Sequence, residues 1–160
     1  AEHDAVQLCL IASVLGWEVV IVTPAASPKT ILDFPGVHQL LKLEPGELHL
    51  KEVNQQTAIV LMTHSYAKDL QYLLALKDTQ PAYIGLVGAM KRGQKLLNDL
   101  VEHHPEVEET FLEKIHGPAG LNIGAETPQE IALSICSEIL SVTRQQQPDF
   151  MKNKRTFVSR

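Results

Sequence analysis

"YIGLVGAMKRGQKL", residues 83–96, decides how the chain is read. Tyr83 to Val87 is a nearly continuous apolar run of strand length, and Gly88 closes it. From Ala89 to His104 the pattern becomes helical, and Pro105 ends it. A strand that feeds through glycines into a helix is the repeating unit of a parallel sheet. Lys91 and Arg92 fall in the first turn of that helix, the end where its dipole disfavours cations. Their placement makes sense if the turn holds an anion. Gly85 and Gly88 would let the backbone approach closely, the free N–H groups of the helix start would point at it, and two cations would add charge. The alternative is close helix–strand packing with two solvated cations.

The same alternation extends both ways. Residues 1–15 read as an apolar helix stopped by Gly16, and Trp17 to Val22 as a short buried strand. A short strand around Val37 to Leu41 sits between two Pro-Gly turns. Residues 57–63 read as a buried strand, 65–79 as an amphipathic helix and 81–88 as the next strand. Residues 106–115 read as a short amphipathic helix, 116–126 as a glycine-rich loop and 127–145 as a long helix. Thr127, Pro128 and Glu130 open that helix as a capping box. The fold class is therefore α/β: a doubly wound, mostly parallel sheet in a three-layer arrangement. Residues 1–144 form the domain and 145–160 a polar, basic tail. The start at "AEHDA" reads as the end of a strand-to-helix turn, so the first strand is expected to be missing from this chain, an excised piece of a longer one.

Composition narrows the function. The chain has 160 residues, 44% of them hydrophobic, and a net charge of -5. An acidic chain of this kind lacks the basic face that a nucleic-acid binder needs. No apolar run is long enough to span a membrane, and no signal-peptide pattern appears. Cys9 and Cys136 lie far apart in apolar helical patterns and read as buried, reduced thiols, which fits a cytoplasmic setting.

In such folds ligands bind outside the carboxyl ends of the strands. Three further loops supply candidates. His64 follows a buried strand, with Asp69 on the next helix near enough to orient it; the competing role for His64 is a helix cap. His116, Pro118, Gly120 and Gly124 shape a tight loop, and Glu130 is either a polar contact or only part of the capping box. The first turn, with Glu2 and Ala5 in place of glycines, suits a pyrophosphate poorly, and Thr23 stands where a dinucleotide-binding domain carries an acid for the ribose. No nucleophile with a neighbouring base, zinc motif or Walker loop is evident.

These loops resemble the C-terminal Rossmann-like domain of the XdhC/CoxI family, the xanthine dehydrogenase accessory proteins. Thr63, His64 and Asp69 match one motif of that family. Tyr83, Ile84, Gly85, Gly88, Lys91 and Arg92 match a second. The run from His116 through Pro118, Gly120, Leu121, Ile123, Gly124, Thr127, Pro128 and Glu130 to Ser134 and Glu138 matches a third. The chain departs at Thr23, where the family has Asp, and at Ala89, where it has Ser. The resemblance implies a non-catalytic domain that binds molybdenum cofactor (molybdopterin), assists its sulfuration and hands it to a xanthine dehydrogenase-type molybdoenzyme. It also implies a cysteine desulfurase as a further partner, and a homo-oligomer. The cofactor-binding set is then His64, Asp69, Gly85, Gly88, Lys91, Arg92, His116, Pro118, Gly120, Gly124 and Glu130, with no catalytic or metal-binding residue. An NAD(P)-binding oxidoreductase domain and a non-binding dimerisation remnant are the competing readings.

Overall fold

A computed structural model describes residues 2–48 and 50–154. Among the described residues five short strands and five α-helices follow in the order α1 (Glu2–Val14), β1 (Val20–Thr23), β2 (Gln39–Lys42), β3 (Ala58–Leu61), α2 (Tyr66–Ala75), β4 (Tyr83–Leu86), α3 (Met90–His103), α4 (Glu109–Leu112), β5 (Ile115–His116) and α5 (Pro128–Thr143), with only 3-10 turns between the first three strands. All strand pairs are parallel, as expected of α/β units. The hydrogen-bonded ladder comes in two pieces rather than one sheet: β1 pairs with β2, and β4 lies between β3 and β5.

β4 is central, and all four of its residues are buried. Alternation along it sends Ile84 and Leu86 to one face and Tyr83 to the other. Ile84 and Leu86 share a cluster with Leu73 of α2 and Leu76 at its C-cap, Leu96 and Leu100 of α3, and Phe111 of α4. Tyr83 meets Ile135 and Ile139 of α5, with Leu8 of α1 and Trp17 packed alongside. Helices thus cover both faces of the sheet. Side chains such as Leu73, Ile84 and Leu100 are wholly buried, each worth about 1.5–3 kcal/mol in removal from water. The Tyr66 hydroxyl donates to Asp99 and ties α2 to α3; burial first, then the Asp99 carboxylate, pushes that hydroxyl up to about 12. Cys9 and Cys136 are buried free thiols, each pushed by burial to about 11.

Several sequence-derived boundaries move. Trp17 lies ahead of β1 and packs against the α1/α5 core, so the strand starts only at Val20. β2 begins two residues later than expected, at Gln39. The helix expected over 106–115 shrinks to Glu109–Leu112, because Ile115 and His116 are pulled into a ladder with Ile84 and Gly85. His116 therefore stands on a strand, not in a loop. α5 ends at Thr143; beyond it the described residues form only a 3-10 turn at Met151–Asn153, and 155–160 of the expected tail lie outside them. Among the described residues no helix is long and apolar enough to cross a membrane.

Candidate functional site

Three connections leave the carboxyl ends of β3, β4 and β5 and are knitted together by a few polar contacts. Asp69 is their first hub. Only 1% of it is exposed, and it accepts from the Thr63 hydroxyl at 2.6 Å, from the Thr63 backbone N–H at 3.3 Å and from Arg92 Nη2 at 2.7 Å. Arg92 Nη1 also donates to the Val87 carbonyl at 3.4 Å. The β3–α2 and β4–α3 connections are thereby locked by a charge-assisted pair.

This changes two expectations. Asp69 orients Thr63 and Arg92, not His64. The cap of α2 is Ser65, whose hydroxyl accepts from the Lys68 N–H at 3.3 Å, so His64 is not a cap either. His64 is exposed and sits in the left-handed region at φ 61°, which non-glycine residues seldom visit, Asn, Asp and His more often than the rest. Replacing it with glycine is expected to leave stability unchanged or raise it by up to about 1 kcal/mol in thermal unfolding. A clear loss would show that the imidazole supports the fold.

The start of α3 differs from those of α2 and α5. Ser65 caps α2 and Asp69 lies in its first turn; Thr127 caps α5 and Glu130 lies in its first turn. α3 has Ala89 at the N-cap, no side-chain cap and no acid in its first turn. Met90 and Lys91 therefore offer N–H groups with no carbonyl behind them. Gly88, at φ 138°, brings the chain in with the Arg92 side chain lying over it. Lys91 is exposed, without an ion-pair partner among the described residues. Arg92 is committed to Asp69, so of the two cations only Lys91 adds unbalanced charge. Gly85 has a packing role: a Cβ there would lie 2.8 Å from the Tyr83 ring and 2.9 Å from Ala119 Cβ.

The second hub is Glu138. Its Oε1 accepts from the Tyr83 hydroxyl at 2.6 Å and from the Gly120 N–H at 3.0 Å, and lies 3.6 Å from His116 Nδ1. Tyr83 and His116 stack with centroids 4.6 Å apart. Burial, reinforced by the Glu138 carboxylate, raises the Tyr83 hydroxyl well above its ordinary range and keeps it a donor. The Ala119 N–H donates to the Leu86 carbonyl at 2.9 Å, seating the β5–α5 loop on the end of β4. Pro118 follows a cis peptide bond and is exposed, as is Gly124 at an outer turn. Glu130 accepts from the Glu126 and Thr127 N–H groups at 3.0 and 3.1 Å; those bonds lower its pKa and place it in the cap. Glu138 is missing from the sequence-derived set of binding residues. Its signal was present, because it falls on the Ile131, Ile135, Ile139 stripe of α5, where a carboxylate needs a partner.

Asp99, Glu102 and His103 place one ligand atom each within 4.8 Å on α3. Helical i, i+3, i+4 spacing alone brings them together, and Asp99 already receives the Tyr66 hydroxyl.

Parallel strands, helices on both faces and glycine turns at the strand ends define a Rossmann-like α/β domain. The chain belongs to the XdhC Rossmann domain family, whose model matches residues 1–139. It is 32% identical over 146 residues to a protein of Bacillus subtilis named as a probable subunit of xanthine dehydrogenase, covering 90% of this chain and 41% of that protein. It is 30% identical over 98 residues to the molybdenum cofactor insertion chaperone PaoD of Escherichia coli, covering 61% of this chain and 30% of that one. A crystal structure described as a xanthine dehydrogenase from Bacillus halodurans shares the fold, with a TM-score of 0.74 at 23% identity over 96% of this chain and 42% of that one. The chain spans less than half the length of each of these proteins.

Proposed function

We propose that this domain binds molybdenum cofactor through its phosphate and serves as an accessory in delivering it to a xanthine dehydrogenase-type molybdoenzyme. The observation that carries the reading is the start of α3: uncapped, free of acids, entered through Gly88 and flanked by exposed Lys91. That arrangement fits a phosphate, which accepts from free N–H groups and gains from the dipole. Gly88, Met90 and Lys91 would hold it, while Arg92 and Asp69 keep the turn in shape. The cofactor, when bound, supplies the metal and dithiolene chemistry used by the recipient enzyme. The names of two relatives, a chaperone of molybdenum cofactor insertion and a probable subunit of xanthine dehydrogenase, support the same role.

Sulfur delivery is assigned to groups other than the two thiols of this domain, with a cysteine desulfurase as the source. A sulfur carrier needs an accessible thiolate, and both thiols here are buried and protonated at neutral pH. A nicotinamide dinucleotide is the poorer fit, since Thr23 offers a hydroxyl where a dinucleotide-binding domain usually carries a ribose-binding carboxylate.

Calorimetric titration with molybdenum cofactor, with NAD(P) and ADP as controls, tests the reading. Selective pterin binding is expected. Lys91→Ala is expected to weaken it roughly two- to fivefold and to flatten its salt dependence, the scale of one exposed charge at a helix start. Unchanged affinity in that variant would remove the anion site, and binding of NAD(P) alone would replace the reading with a dinucleotide one.

A further inference from the structure

The turn that follows α5 is ordered by its own contacts. The Asp149 carboxylate accepts from the Phe150 N–H at 2.7 Å and from Asn153 Nδ2 at 2.9 Å, and the Phe150 carbonyl accepts from the Asn153 N–H at 3.0 Å. That turn holds Phe150 70% and Met151 50% exposed, with Lys152 Nζ 5.3 Å over the Phe150 ring. Two adjacent large apolar side chains held out in water mark a contact surface, and a pre-formed turn lowers the ordering cost of docking them. Residues 149–160 carry four cations and one carboxylate, in a chain whose net charge is -5. A surface that receives this segment must therefore be acidic as well as apolar.

The flank of α3 has both properties. Gly93, Leu96 and Leu100 mark the core side of that helix. Met90, Leu97 and Val101 recur at helical spacing along the neighbouring flank, and Met90 and Val101 are 59% and 55% exposed. Directly after Val101, residues 102–113 hold five glutamates, all exposed, and no lysine or arginine. The chain's own Phe150 does not reach this flank. α5 packs on the Tyr83 face of the sheet and α3 on the Ile84 and Leu86 face. At the end of α5, Gln145 turns at φ 55° and the Gln146 N–H donates back to the Ser141 carbonyl. From Gln146 to Phe150 the chain spans about 14 Å at full extension, which keeps the turn on the α5 side.

We propose that the occupant of the α3 flank is a second copy of this chain. Each copy seats Phe150 and Met151 against Leu97 and Val101 of the other, and Lys152 and Lys154 face the glutamates beside Val101. The exchange is reciprocal, so one two-fold dimer contains both contacts and neither turn has to bind alone. The inference concerns assembly and is independent of the ligand reading.

Sedimentation velocity on the 160-residue chain tests it. A dimer is expected, weakened roughly fivefold or more between about 50 and about 500 mM salt. Phe150→Ala together with Met151→Ala is expected to weaken it roughly tenfold or more with the circular dichroism spectrum unchanged. Lys152→Glu with Lys154→Glu puts an acidic turn against an acidic flank, and Glu102→Lys with Glu109→Lys puts a basic turn against a basic one. Each variant alone is expected to be monomeric. An equal mixture of the two is expected to dimerise, because both contacts then pair opposite charges. A wild-type chain that stays monomeric at every soluble concentration would overturn the proposal. So would a dimer untouched by the Phe150 and Met151 changes, or a mixture that stays monomeric.

Discussion

Asp69→Ala is expected to destabilise the domain by about 3 kcal/mol, the lower end of the range for removing one partner of a buried ion pair. The side chain is 2% exposed and that of Arg92 29%. Alanine would strand the Thr63 N–H and hydroxyl and leave the guanidinium without its counter-charge. Arg92 can turn partly toward water, which holds the loss near the lower end of that range. Asp69→Asn keeps an acceptor for Thr63 and removes the charge, so about half the loss is expected. Urea unfolding decides it: the midpoint should fall while the slope stays unchanged. A loss under about 1 kcal/mol would mean that the two connections are held by something other than this pair. The same pair explains why Lys91, and not Arg92, is the residue with which to probe ligand binding: Arg92→Ala would disturb the turn before it reported on any anion.

Gly120→Ala carries the second large effect, about 3 kcal/mol from two sources. At φ 113° any L-residue is strained, by roughly 1–3 kcal/mol. The new Cβ would also lie 2.5 Å from Ser134 Oγ, an overpacking worth a further 1–3 kcal/mol. The Gly120 N–H is held by Glu138, which also holds Tyr83, so the loop cannot shift without loosening a buried phenol. Adding Ser134→Ala is expected to recover the steric share and leave the backbone share. A double-mutant cycle on thermal stability measures that coupling. Additive effects would show that Ser134 simply rotates away and that strain alone sets the loss.

The elements with a strong local pattern were legible. The apolar runs at 57–63 and 81–88 hold β3 and β4, and Thr127, Pro128 and Glu130 start α5 as a capping box. Helical spacing around Leu70, Leu73 and Leu74 held for α2. β5 was not legible. Two residues cannot show a period, and Ile115–His116 is a strand only because β4 lies beside it. Within the candidate site, the glycines and the loop after His116 were singled out by motif, whereas Glu138, matched in the same motif, was left out of the binding set although its place on an apolar stripe was a signal.

The sequence by itself determined the alternation of strand and helix, the parallel class, the helix caps and the absence of a side-chain cap at Ala89. All of these depend on residues within a few positions of one another. The tertiary structure alone decided that Arg92 spends its charge on Asp69, 23 residues away, and that Glu138 joins Tyr83, 55 residues away, to Gly120 in the loop after β5. It alone decided that the ladder comes in two pieces, β1 with β2 and β3 with β4 and β5. Charge and hydrogen-bonding capacity are properties of a residue, but the partner that uses them is set by which strand ends lie side by side, and only the packed sheet specifies that.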